Sequence, residues 1–313
     1  MAADEATVLP VPAARLRRYY WLATLGQAAR TGKGAVGLAL AGGIVLLAAV
    51  GPFIARYSPT QFVGLPFAPP SARFWLGTDV LGRDVLSRVL NGGWVLLIMA
   101  ACATAFGIVV GTACGVSAAY LRGRSDGLIM RGVDVFLAFP QLVFALLLVS
   151  IAGPRLWLIV LAVGISHAPQ VARVLRSATL DVSEREYVKA VEMQGVRPVK
   201  VMTKEIIPNL TAPLMVETGL RLTYSIVIIS GLAFLGFGQP PPAPNWGLMI
   251  NENRIGLASN PWAVVVPVIL IALLTIGTNT FTDAVASVAL GVDRKPEEAA
   301  LIDDVAPHAV DVP

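Results

Sequence analysis

Along this chain, long apolar runs alternate with shorter polar ones, and the apolar runs approach the roughly 20 residues that a helix needs to cross a bilayer's hydrocarbon core. Charge-free runs of this kind occupy 35–55, 92–120, 135–153, 156–172, 222–244 and 261–282. They predict six transmembrane helices in an all-α membrane protein. The run at 92–120 is longer than a crossing requires and predicts tilt or continuation past the bilayer, whereas 156–172 is at the short limit. The first run follows Arg15, Arg17, Arg18, Arg30 and Lys33 but exceeds a signal peptide's apolar core and precedes no A-x-A site, so it reads as a retained anchor.

One polar island, 183–209, breaks this rhythm. Ser183 and Glu186 have the spacing of a capping box, and Tyr187, Val188 and Val191 follow as an apolar stripe among charges. Gly195 sits where that helix would end. Pro198 suits the first position of a second helix, with Val199, Met202 and Ile206 on one face and Pro208 as its stop. Two short amphipathic helices around the turn at Gly195, Val196 and Arg197 are therefore expected. Such a pair is either a lever that docks a soluble partner or two helices lying in the headgroup layer.

The remaining polar features fall around the spans. In 76–88, Asp84 is placed to cap a helix carrying Val85, Leu86, Val89 and Leu90, with Arg88 four residues on for an ion pair. Gly107, Gly111 and Gly115 form a flat stripe that lets another helix approach closely. Pro140 and Gln141 predict a kink in the third span, with Asp134 near its interfacial end beside Arg131. Ser166, His167 and Pro169 interrupt the fourth, where His167 is the candidate for a polar pathway against the alternative of a packing histidine. Glu217 and Arg221 share a helix face and are expected to neutralise each other. The prolines at 240–244 predict a stiff loop before Trp246.

Composition agrees with the pattern: 56% of residues are hydrophobic, only 14% are charged, and the mean hydropathy is +0.71. With the amino terminus inside, 18 of the 24 Lys and Arg fall on the inner side. The positive-inside rule then puts both termini and the 183–209 island in the cytoplasm. The net charge of +4 follows from this topology and is no sign of nucleic-acid binding. Cys102 and Cys114 stand about 18 Å apart on one predicted helix, too far to bridge. Neither has metal-ligand spacing with His167 or His308, so no metal is expected. Motifs of hydrolytic or metalloprotease catalysis are absent from the sequence, which argues against a membrane enzyme. A secondary transporter or channel would share the topology but would need ionisable groups deep in its spans, and these are sparse.

The island resembles the E-A-A-x-x-x-G loop of importer permeases of the ATP-binding cassette class, at Lys189, Ala190, Val191 and Gly195, with Ile207 and Pro208 closing it. Lys189 reverses the family's acidic charge and Val191 enlarges an alanine. Three further runs resemble the dipeptide, oligopeptide and nickel permeases of the C-subunit type. They are 76–88 (L-G-T-D-x-x-G-R-D-x-x-S-R), 134–140 (D-x-x-x-A-F-P) and 234–247 (F-L-G-x-G-x-x-P-P-x-P-x-W-G). The resemblance implies a type I importer fold and a bacterial plasma-membrane protein paired with a second, related permease. It also implies two cytoplasmic ATPase subunits or a fused pair, which bind ATP and Mg, and an external substrate-binding protein. The chain itself would carry no cofactor. The expected ATPase-coupling residues are Tyr187, Lys189, Ala190, Val191, Gly195, Val196, Arg197 and Pro208. Expected contacts with the binding protein are Asp79, Arg83, Asp84, Arg88 and Trp246. The corresponding layout is a cytoplasmic tail at 1–34, a first helix and external segment at 35–91, a five-helix transmembrane domain at 92–291 and a cytoplasmic tail at 292–313.

Overall fold

A computed structural model of the protein describes residues 13–291, with side chains from residue 21 onward. Pro10, Pro12, His308 and the acidic tail at 292–313 lie outside these. The described residues contain twelve α-helices: α1 (Ala13–Arg30), α2 (Gly32–Ile54), α3 (Val85–Asn91), α4 (Trp94–Leu121), α5 (Gly123–Leu137), α6 (Gln141–Ala152), α7 (Leu156–Ser183), α8 (Glu186–Met193), α9 (Pro198–Val201), α10 (Thr211–Phe234), α11 (Trp246–Asn253) and α12 (Trp262–Ala289). Their only β pairing is two isolated bridges, Phe62 with Arg83 and Thr78 with Asp84.

Five stretches are long and apolar enough to cross a membrane on their own; α5 and α6, bent by 84° at their junction, together make a sixth. The expected kink at Pro140 is therefore a break. Pro140 has no N–H to donate and disfavours the helical conformation at Phe139 before it. The expected end of the fourth span at residue 172 is corrected, because α7 continues unbroken through Pro169 to Ser183. A proline removes a single backbone bond, and the residues around it, Ala168, Val171 and Ala172, are buried in the bundle. The fifth span also shifts. It runs from Thr211 to Phe234 and so places Glu217 and Arg221 inside the helix, where they pair at 3.1 Å. Within the expected amino-terminal tail, Ala13–Arg30 form helix α1, and Trp21 packs against a cluster of Ala28, Met215, Ala284 and Val285.

The bundle is organised around α4 and α7. A Cβ added to Gly107 would lie 2.9 Å from the Gly164 carbonyl oxygen, to Gly111 2.6 Å from that of Ala168, and to Gly115 2.4 Å from that of Ala172. The glycine stripe is thus filled by a helix of the same chain. A second close crossing, between Gly37 of α2 and Gly277 of α12, holds the first span to the last. The main apolar core joins Val95, Leu96, Met99 and Ala103 of α4 to Ile159, Ala162 and Val163 of α7 and to Ile226, Ile229 and Leu232 of α10.

Gly111→Val should force α4 off α7 at a cost of about 1–3 kcal/mol, the range for overpacking. The purified protein's thermal midpoint should fall, whereas Gly127→Ala, whose added methyl would meet no atom within 4 Å, should leave it near the wild-type value.

Candidate functional site

At one end of the bundle the polar island forms an elbow. α8 and α9 meet at Gly195, whose φ of +74° is a left-handed conformation that favours glycine, and no neighbouring atom crowds it. Pro198 opens α9 as expected, behind Arg197, whose carbonyl accepts from Lys200 and Val201. The capping box does not form. Ser183 is the last residue of α7, its hydroxyl donates to the Leu180 carbonyl at 2.9 Å, and Arg185 takes the cap position of α8 with no side-chain bond. Pro208 does not stop the second helix either. The chain passes through a π turn, Met202–Ile206, and a 3-10 turn, Ile207–Leu210, directly into α10.

The elbow has two apolar sides with different fates. Val188, Val201, Ile206 and Leu210 are buried against Val116 of α4 and Val182 of α7, with Val191, Val196 and Met202 packed at the edge. This underside fixes the elbow to the ends of α4 and α7. The outer side is bare: Met193 is 82% exposed, Val199 66%, and Tyr187 is exposed beside them. Lys189, Ala190, Gly195 and Arg197 are exposed as well, while Pro208 is buried. The sequence stripe through Tyr187 and Val199 is thereby corrected, because the helices are too short to keep one face and Val201, not Val199, reaches the core. Glu184, just before α8, bonds Lys189 at 3.1 Å and Arg122 at 2.5 Å, and these bonds hold its carboxyl below the usual carboxylate range.

Midway along the bundle lies a chain of polar side chains. His167 Nε2 is 3.0 Å from the Ser225 hydroxyl, which is 3.1 Å from that of Thr104, joining α7, α10 and α4. His167 is completely buried, so it serves as a packing histidine between helices and is withdrawn as a pathway residue. Nearby, Gln141 donates to Gln170 at 2.8 Å and to the Ser166 carbonyl at 3.2 Å, and Arg221 donates to the same Gln170 oxygen and to Glu217. The break at Pro140 is therefore pinned to α7 and, through Gln170, to α10.

At the opposite end, residues 55–91 and 235–261 form a cap. Asp84 caps α3 as expected, accepting from the Ser87 N–H at 2.8 Å. Its expected partner Arg88 instead bonds Asp79 at 2.5 Å and Glu252 at 2.8 Å, and Arg83 bonds the same two acids at 2.6 and 3.0 Å. Asp79, Arg83 and Arg88 are completely buried, Asp84 nearly so, and the Trp246 ring is enclosed with its N–H donating to the Val89 carbonyl at 2.8 Å. None of the five can be a contact surface of the folded chain. They build the cap from within, and its exposed side chains are neighbours such as Phe62, Leu65, Trp75 and Leu81.

Residues 107–288 match the family described as "Binding-protein-dependent transport system inner membrane component". The chain belongs to this family of transport permeases. It is 34% identical over 307 residues to the di/tripeptide transport system permease protein DppC of Pseudomonas aeruginosa, covering 96% of this chain and 97% of the relative. A dipeptide transport system permease protein DppC of Alkalihalophilus pseudofirmus is 32% identical over 84% of this chain and 87% of its own. The glutathione transport system permease protein GsiD of Pectobacterium atrosepticum is 34% identical, with 68% and 71% covered. Among solved structures, the inward-facing MetNI methionine ABC transporter aligns at a TM-score of 0.48 and 19% identity, covering 63% of this chain and 95% of the other.

This permease is thus an all-α inner-membrane component of an ABC importer, with the elbow as its projecting element. Sequence reasoning missed the cap's second half. Glu252, Asn253, whose side chain accepts from the Val80 N–H, and Asn260, which donates to the Leu76 and Thr78 carbonyls, lie more than 160 positions from their partners. The charged residues of the two loops, Asp79, Arg83, Arg88 and Glu252 among them, carry no local sign of this pairing. In this permease, Asp79→Asn should leave two buried guanidinium groups short of a counter-charge, at a cost of about 3–5 kcal/mol. Thermal unfolding would show it as a lower midpoint, larger than the shift from Asp134→Asn, whose pair with Arg173 is exposed.

Proposed function

We propose that this permease pairs with a second, related permease to form the membrane path of an ATP-driven importer for small peptides, di- or oligopeptides. Its elbow seats in a cytoplasmic ATPase subunit. The observation that carries the reading is the elbow's division of labour: its underside is anchored to α4 and α7, while Met193, Val199 and Tyr187 stand uncovered on its outer side. A lever needs both, a rigid root and a free apolar face for a partner. Movement of that face between two ATPase states would carry the helix ends with it, which supplies the differential contact that coupling requires.

The other parts follow. The distribution of Lys and Arg supports both termini and the elbow in the cytoplasm and the cap on the outer face, toward a substrate-binding protein. ATP and Mg then belong to the ATPase subunits, two separate chains or a fused pair, and this chain performs no hydrolysis itself. The peptide assignment rests on the relatives, whose names specify di- and tripeptides, dipeptides and glutathione.

Gly195→Val tests the elbow. A β-branched residue is strained at φ +74° whatever the space around it, so the turn reshapes while the spans stay intact. Membranes should hold normal amounts of the variant, and ATP-dependent uptake of radiolabelled dialanine should drop by about tenfold or more. Uptake by the isolated wild-type chain driven by an ion gradient, with no response to ATP, would overturn the proposal in favour of a secondary transporter.

A further inference from the structure

Three charges at the root of the elbow have no part in its outer face. Arg122 stands between α4 and α5 with φ 53° and ψ −176°, a backbone conformation that side-chain-bearing residues rarely adopt. Its guanidinium donates to one oxygen of Glu184 at 2.5 Å, and the other oxygen of Glu184 meets the Lys189 ammonium at 3.1 Å. Glu184 closes α7, and Lys189 lies in α8. A single carboxylate thus ties the α4–α5 corner to the first helix of the elbow. Tyr120, in the last turn of α4, and Glu192 of α8 line the same pocket as the three charges.

The energetics separate this cluster from the buried pairs elsewhere. Arg122, Glu184 and Lys189 have side chains 57%, 58% and 52% exposed. Ion pairs that wet contribute little to stability and are screened by salt. Backbone strain held by such weak bonds is a poor device for stability. It suits a contact that opens and closes. From the corner, α5 leads on: Asp126 makes two bonds of 2.6 Å to Arg176, Asp134 bonds Arg173 at 2.6 Å, and the helix ends at the break beside Gln141.

We propose that Arg122, Glu184 and Lys189 form a releasable clasp through which displacement of the elbow reaches α5 and the break at Pro140. They are positioning residues, not contacts of the transported solute. The clasp accounts for Lys189, which stands where the family resemblance places an acid: an acidic side chain there would face Glu184, and a cation completes the triad. The inference rests on the elbow being the ATPase-docking element.

Spin labels test it in the complete assembly of permeases, ATPases and binding protein in liposomes, with Cys102→Ser and Cys114→Ser as background. One label on the cap, Leu81→Cys, is paired with Lys200→Cys on the elbow, away from its apolar face, or with Leu128→Cys on α5. In the assembly with otherwise native residues, a non-hydrolysable ATP analogue with Mg should shift both distances. Arg122→Gly removes the cation while easing the backbone, so the chain keeps its fold; the 81–200 shift should persist and the 81–128 shift should vanish. Lys189→Glu should act alike, and the triple reversal Arg122→Glu, Glu184→Arg and Lys189→Glu should restore the 81–128 shift. An Arg122→Gly variant that moves both labels, or a triple variant that assembles without recovery, overturns the clasp. A native assembly in which the nucleotide moves neither label overturns the elbow reading itself.

Discussion

The close approach of α4 and α7 is the constraint on which the other features depend. Between helices surrounded by lipid there is no hydrophobic driving force, so association relies on van der Waals contact and on hydrogen bonds. Gly107, Gly111 and Gly115 remove the side chains that would hold the two backbones apart, and Gly164 does the same from the α7 side. Both helices then end at the same place, where Val116 and Val182 offer the apolar seat for the elbow. The start of α4 follows the cap directly, with Gly92 and Gly93 set against the Trp246 ring. A rigid two-helix unit therefore has the cap at one end and the elbow at the other.

Polar groups are distributed around this unit according to what their surroundings allow. Within the bundle Glu217 and Arg221 neutralise each other, and the surplus guanidinium donors reach Gln170. An unpaired charge there would be costly. In the cap, two arginines and two acids form a closed set of bonds linking 79–88 to α11. Buried ion groups of this kind add little net stability compared with apolar packing, yet are costly to break. Their effect is to penalise any arrangement of the two loops except the one that pairs all four charges.

The sequence made the all-α class, most of the span positions, the turn at Gly195, the start of α9 at Pro198 and the Asp84 cap legible, because each depends on a local property of one or a few adjacent residues. Long-range choices were not legible. Arg88 has Asp84 within reach on the same helix face, yet Asp84 is already engaged by the Ser87 N–H and hydroxyl, and Arg88 turns to Asp79 and Glu252. Ser183 and Glu186 have the spacing of a capping box, but α7 extends through Ser183 because its packing against α4 outweighs the cap. Charge-free runs marked spans well except where a buried ion pair stood inside one: Glu217 and Arg221 hid about the first three turns of α10. Trp246, expected after a stiff loop as a contact with the binding protein, is buried instead, with its N–H donating to the Val89 carbonyl.

The elbow's two connections to the membrane helices differ in kind, and this bears on how a push at its tip is distributed. Toward α7 and α4 the contact is broad and apolar, through Val188, Val201, Ile206 and Leu210. Toward α10 the chain instead runs through five residues of π helix and four of 3-10 helix, each with poorer hydrogen-bond geometry than the α form. Pro208 lies in the second of these and removes another donor. Bending is cheapest where the backbone ladder is already irregular. A displacement of the elbow is therefore transmitted as rigid motion into the α4–α7 unit and absorbed as bending at 202–210, so α10 need not follow. Because Gln141, Gln170 and Arg221 bridge α6, α7 and α10 in the middle of the bundle, that difference in motion falls on this polar chain.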